Sequence, residues 1–336
     1  MRASEALLDA TDTVSIGDVD AVAKATNQIL VKCFGAQSFD HELLHATFRL
    51  VGRLFAGEHP GYLACDMPYH DLRHSLDTAL VMARLIDGYQ RGQRDSTSKL
   101  PPEYGLLGVL LGLLHDSGYI RTTSEAALCG PQLTADHESR SVEFAEDYLQ
   151  ATSLAALAPL ASLIITTRLA TDLQQLFARY DAPAIALGQM LGSADLLSQV
   201  SDRCYLERCY YHLYPELVLG GCDRVRTPNG QEQVLYHNAF DLLSRTLTFY
   251  EKVVCKRLRD DFQQMTQHLI AHFSGADPYS ASIQRNLDRL ARIINDGTAS
   301  LLRQAPATTT RDLAAIYRAH PPRGAPLDMP RGSGSS

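Results

Sequence analysis

The 336-residue chain has no CxxC pair, no surplus of basic residues, no apolar run of membrane-spanning length and no convincing two-residue alternation of a half-buried strand. Each absence excludes something. The seven cysteines, at 33, 65, 129, 204, 209, 222 and 255, are odd in number and none lies at CxxC spacing. A reduced, cytoplasmic protein with structural thiols is the expectation. Lysine and arginine number 31 against 38 aspartates and glutamates, a formal net charge of −7. That balance argues against non-specific nucleic-acid binding, which needs many cations to release phosphate counterions. It leaves a small anionic substrate open, because bound metal ions can supply local positive charge. The opening MRASEALLDATDTVSIGD carries acids and no apolar signal-peptide core. The longest apolar stretch, YGLLGVLLGLL at 104–114, falls short of the roughly 18 residues that a span requires and reads as a buried helix. No membrane partner is expected.

What the chain does have is helical periodicity. Apolar residues recur at i, i+3, i+4, i+7 over 16–34, 39–57, 74–89, 139–149, 183–200, 238–258 and 281–295. PNGQEQVLY at 228–236 allows one short hairpin. With 45% hydrophobic and 21% charged residues, the composition is that of an ordinary globular protein. The fold class is therefore all-α, a compact multi-helix bundle. Residues 1–60 are expected to pack helices onto a core domain at 61–318. The segment 319–336 is rich in proline, glycine and serine and is expected to be disordered. RGQRDSTSKLPPE (91–103) and CGPQLTAD (129–136) read as loops, the second delivering Thr134 or Asp136 as a helix cap.

Two histidine pairs stand out. HELLH at 41–45 has the spacing of a zinc metalloprotease helix. Such a site needs a third ligand. The extended form of the motif would put glycine at 48, where Phe48 stands, and no downstream glutamate is in place, the region near 65 reading CDMPYH. His41 and His45 therefore read as surface or half-buried helix residues. The second pair lies in YHDLRHSLD at 69–77. On a helix, His70, His74 and Asp77 share one face. Further on, LLGLLHDSGYI places His115 and Asp116 at the end of an apolar helix, and GQMLGSADLLSQ places Asp195 inside another. Burying a carboxylate without a partner is expensive, and a metal ion removes that cost.

This ordered set resembles the HD-domain superfamily of metal-dependent phosphohydrolases, whose ligands are a His, a His-Asp doublet and an Asp from successive helices. The corresponding residues here are His74, His115, Asp116 and Asp195. YHDLRHSLD is further similar to the YHNxxHxxD segment of class I cyclic nucleotide phosphodiesterases, with Asp71 where Asn is usual, and the Ala-Asp-Leu around Asp195 resembles the ADL segment of that family. The resemblance covers about residues 65–200. It implies two divalent ions (Zn, Fe, Mn or Mg) and His70 as the general acid. Two departures stand: SGYIR replaces the His-Pro-Gly stretch after the doublet, and NAFDLLSRTLTFYEKV shows no clear counterpart of the nucleotide-clamping Gln.

The chemistry so implied is hydrolysis of a phosphodiester, a cyclic nucleotide above all, by a metal-activated hydroxide, with His70 protonating the leaving alkoxide. Asp77 is expected to orient a histidine. For His137 and Glu138 two readings stand side by side. They resemble the HExxS stretch of some HD proteins, which makes His137 a second-metal ligand; alternatively they form a helix start capped by Asp136, with Glu138 favoured by the dipole. Tyr69, Arg73 and Gln199 are candidate substrate contacts. Arg121, Arg168 and Arg203 are further phosphate candidates, each read first as an ordinary surface or paired arginine. The alternatives are an HD nucleotidase or other phosphomonoesterase, and a non-catalytic nucleotide-binding HD module. A homodimer remains open.

Overall fold

The computed structural model describes residues 7–93, 99–227, 229–304, 316 and 318–320. Most of the expected tail, and residues 94–98 of the first polar loop, lie outside the described residues. The fold is all-α, with one short hairpin among the described residues. Its helices are α1 (Val19–Phe34), α2 (His41–Ala56), α3 (Leu72–Gly92), α4 (Pro102–Leu114), α5 (His137–Gln150), α6 (Leu173–Phe177), α7 (Ala182–Val200), α8 (Tyr205–Arg208), α9 (Tyr214–Leu219), α10 (Ala239–Phe249), α11 (His268–His272) and α12 (Pro278–Asp296). Among the described residues no helix is long and apolar enough to cross a membrane.

Aspartate starts most of the long helices. The side chains of Asp18, Asp40, Asp71, Asp181 and Asp277 accept from first-turn backbone N–H groups, satisfying donors that a helix start leaves unpaired. α2 and α12 end at Gly57 and Gly297, whose φ values of 73° and 70° suit glycine.

The bundle is organised around α3, which packs against α1, α4, α7 and α11. The sequence predicts an apolar-striped helix there, yet residues 73–88 are buried on every face. Three of its charged positions meet a partner inside: Arg73 with Asp202 at 2.7 Å, Arg84 with Asp9 at 2.7 Å, Asp87 with His272 at 2.6 Å. Gly88 permits the close passage of α11, since a Cβ there would lie 1.8 Å from the His268 carbonyl oxygen. α4 is buried from Gly105 to Leu114; each of its fully buried leucines contributes about 1.5–3 kcal/mol. α1 and α2 pack on α3 and α4, and their apolar residues join the same core.

Two expectations need adjustment. The stretch 238–258 is not one regular helix: α10 gives way to π-helical turns at Tyr250–Val254 and Arg257–Asp261, and a third, Cys209–Leu213, joins α8 to α9. A π-turn inserts a residue without ending the helix, so apolar periodicity alone does not reveal it. The hairpin pairs Arg224–Arg226 with Glu232–Val234. Its first strand thus precedes the Pro-Asn-Gly turn that the sequence signals.

Candidate metal centre

The end of α4 and the middle of α7 converge on the first turn of α3. Asp71 caps α3, its Oδ1 3.4 Å from the His74 N–H, and so sets His74 one turn into the helix. α4 stops at Leu114, and the Ser117–Tyr119 turn follows the His115-Asp116 doublet. The His115 Nδ1–H donates to the Gly112 carbonyl at 2.9 Å, which fixes the tautomer and leaves the Nε2 lone pair facing inward. On the other side, His74 Nδ1 lies 3.3 Å from the Ser198 hydroxyl.

The inward atoms meet at short range. His74 Nε2 lies 3.2 Å from His115 Nε2 and 3.1 Å from Asp195 Oδ1. Asp116 Oδ2 lies 3.2 Å from His115 Nε2 and 3.5 Å from His74 Nε2. Asp116 Oδ2 is buried and has no hydrogen-bond partner. His74, His115 and Asp195 thus form a buried group able to hold a metal ion. The spacing fits: donors about 2.0–2.2 Å from one ion stand roughly 3–3.5 Å from each other.

Electrostatics agree. Burial opposes ionisation of Asp116, but His115 and its neighbours outweigh burial and hold the carboxyl far below the usual range. Asp195 is lowered too, against burial, by His74 and His115. Burial lowers His74, whereas in His115 the Asp116 carboxylate outweighs burial and pushes the imidazole up to about 9. Two ionised carboxylates are therefore buried side by side. A divalent cation would balance both.

Beside this group a second set is assembled. The sequence predicts His70 on the α3 face; it lies before the Asp71 cap, outside the helix. That position turns its Nδ1 to Glu216 Oε1 of α9, 2.5 Å away, while Glu216 Oε2 accepts from the Tyr69 N–H at 2.8 Å. Burial lowers the His70 pKa, but Glu216, then Asp116 and Asp195, outweigh it and bring it to about 9. The Tyr119 ring lies between His70 and His137, stacked with centroids 5.1 Å and 4.1 Å away. His137 Nε2 stands 3.8 Å from Asp116 Oδ1. This approach requires glycine at 118, where a Cβ would lie 1.9 Å from the His137 carbonyl oxygen. The Gly118 N–H also donates to Ser141 of α5 at 2.8 Å.

Several expected roles shift. Asp77 makes no hydrogen bond to either histidine among the described residues; its Oδ1 is buried without a partner, and Ser198 contacts His74 instead. Arg73 is 2% exposed and paired with Asp202. Tyr69 and Gln199 line the cleft but act on Asp195: the Tyr69 hydroxyl donates to Gln199 Oε1 at 3.2 Å, and Gln199 Nε2 donates to Asp195 Oδ1 at 2.7 Å. The Asp136 side chain makes no cap bond, because its backbone already turns at φ −121° and ψ −1°. Glu138 pairs with Arg168 at 3.2 Å. Arg121 and Arg203 are paired with Asp66 and Asp12. Both ring nitrogens of His41 are engaged, by Asn27 Oδ1 and the Ala36 carbonyl, each at 2.7 Å. Glu216, Ser198, Tyr119 and Arg245 are site residues with no local signal in the sequence. Glu216 is 146 positions from His70.

The group opens at the floor of a cleft of about 470 Å³. Leu196, Val200, Leu242 and Phe249 are among its apolar wall residues, and Arg168 and Arg245 also line it. No protein-family model and no curated protein matches the chain.

Proposed function

We propose that the protein is a metal-dependent phosphohydrolase that cleaves a phosphodiester, with a cyclic nucleotide as the favoured substrate. One observation carries this reading: the buried His74–His115–Asp195 group, with Asp116 Oδ2 3.2 Å from His115 Nε2, adjoins a cleft that also holds His70, a histidine paired with Glu216. His74, His115, Asp116 and Asp195 would hold one ion, and Asp116 Oδ1 with His137 Nε2 would contribute to a second. Divalent ions of zinc, iron, manganese or magnesium would supply a water nucleophile at neutral pH and charge to balance the phosphoryl group.

The chain's own residues do the rest. Gly112 and Ser198 orient the two histidines, and Tyr69 through Gln199 fixes Asp195. His70 gives Nδ1 to Glu216, which leaves Nε2 to carry the transferable proton. When the P–O bond to the leaving alkoxide breaks, that proton passes to the alkoxide oxygen. An acid at this place favours a diester, whose leaving group is otherwise a poor one. The apolar wall suits a base or sugar, and Arg168 and Arg245, paired with Glu138 and Asp241, line the same cleft. The resemblance of the ordered motif set to class I cyclic nucleotide phosphodiesterases supports the same chemistry and a small phosphorylated substrate, and the seven free cysteines suit the cytoplasm.

The test is metal analysis of the parent and of His115→Ala, with both assayed on bis(p-nitrophenyl) phosphate in added manganese. Bound metal and diester cleavage in the parent, both lost in the variant, support the reading. Cleavage of p-nitrophenyl phosphate alone would make it a phosphomonoesterase. Bound metal without hydrolysis of either ester would favour a binding module.

A further inference from the structure

A second charged concavity lies at α12, and it shares no lining residue with the metal cleft. Arg285, Arg289 and Arg292 project from α12, Arg203 from the turn after α7, and Arg303 from the segment after α12. They surround a space of about 520 Å³. In a chain of net charge −7 this concentration of one sign is unusual. Five guanidinium groups face three nearby carboxylates, Asp12, Asp288 and Glu207, which leaves a net charge of +2.

The walls are held in place. Arg289 pairs with Glu207 and donates to the Leu301 carbonyl at 3.0 Å. Arg303 bonds Glu207 through its backbone N–H at 2.9 Å and the Arg203 carbonyl through Nη2 at 2.8 Å. Arg203 pairs with Asp12 and bonds the Asp9 carbonyl at 2.9 Å. α12 is itself fixed to the end of α7: Asn286 Nδ2 donates to the Val200 and Asp202 carbonyls, and the Ser282 hydroxyl to the Ser201 carbonyl. After these bonds, Arg203 Nε and Arg289 Nη1 are buried with no partner. Buried donors of this kind call for an acceptor. Arg285 and Arg292 are exposed, with no acid partner among the described residues.

We propose that this concavity binds a small polyanion carrying two or more phosphoryl groups. Guanidinium forks match phosphate oxygens in pairs. Fixed arginines from three chain segments suit a compact ligand of high charge density, and the volume lies in the range of small-molecule sites. An extended acidic peptide would instead need a long basic stripe. The site stands independently of the reading of the metal centre.

Inorganic pyrophosphate is the probe, titrated calorimetrically into the parent, into Arg285→Ala/Arg292→Ala and into Arg245→Ala at equal metal load. Both residues of the double variant are exposed, and a thermal melt checks that the fold is kept. The parent is expected to bind, the double variant to lose about tenfold or more in affinity, and Arg245→Ala, which alters the metal cleft alone, to match the parent within about twofold; a loss in Arg245→Ala with none in the double variant would place pyrophosphate in the metal cleft and overturn the proposal. Equal affinity in the double variant, no binding to the parent below about 1 mM, or tighter binding of a hexaglutamate peptide than of pyrophosphate would each overturn the proposal.

Discussion

His41 and His45 stand four residues apart on α2, and His70 and His74 stand four apart at the start of α3, but the two pairs keep different company. His41 is capped off at both ring nitrogens by Asn27 and Ala36, and its helix turns one face to solvent. His74 turns Nε2 toward His115, Asp116 and Asp195, all within 3.5 Å. His70 sits outside the helix and answers to Glu216. Spacing alone places histidines on a face. What a histidine does there depends on which groups other elements bring, and on whether a ring nitrogen is left over for a ligand.

The sharpest way to break the contrast is at His70. His70→Ala should lower the rate on an alkyl phosphodiester by about 10²–10⁴-fold. On bis(p-nitrophenyl) phosphate, whose leaving group needs no proton, the loss should be far smaller. Equal losses on both esters would show that His70 is not the acid.

A smaller effect is expected from Glu216→Gln. His70 must be protonated to act, and its pKa of about 9 is held there by Glu216 against burial. Activity on the alkyl diester should therefore fall as pH rises through about 9 in the parent. In the variant that basic limb should move to lower pH. The same linkage acts on stability. A histidine raised above its unfolded value near 6.5 contributes stability below that pH, and loses it as pH rises through about 9. An unmoved limb would remove Glu216 from the mechanism.

Asp77 supplies the third and smallest effect, one turn beyond His74. Burial first, then Asp9 and Asp202, push its carboxyl up to about 8. The unfolded chain ionises this group near pH 4 while the folded chain keeps it protonated, so stability falls as pH rises from about 4 to about 8. Asp77→Asn should remove that slope. The expected gain is about 1–3 kcal/mol at pH 8 and near zero at pH 4, read from urea midpoints. A variant less stable than the parent at pH 8 would instead show that the carboxylate is needed.

How far the sequence carries can be followed through these same residues. The all-α class is legible because apolar periodicity is local, and α3, α4 and α7 lie where it predicts them. The converging residues His74, His115, Asp116 and Asp195 are legible because each is a polar intrusion into an apolar helix or its end. Glu216 is not: it is one acid in an ordinary amphipathic stretch until α9 brings it to His70. Spacing misleads at Asp77, because an i, i+4, i+7 series says which residues share a face, not that His70 lies beyond the Asp71 cap. Nor does spacing show the partners of Arg73, Tyr69 and Gln199: Arg73 pairs with Asp202, Tyr69 donates to Gln199, and Gln199 donates to Asp195. The partners of Arg73 and Tyr69 come from α7 and the turn after it, more than 100 residues on.

The most direct measurement is elemental analysis of the purified parent, His74→Ala and His41→Ala. If the metal sits on the α3 side, the parent and His41→Ala retain equal metal, and His74→Ala loses it. His41→Ala should lose only the order of 1 kcal/mol from its two hydrogen bonds. If His41→Ala loses the metal while His74→Ala keeps it, the centre lies on α2, and the His74, His115 and Asp195 group holds no ion.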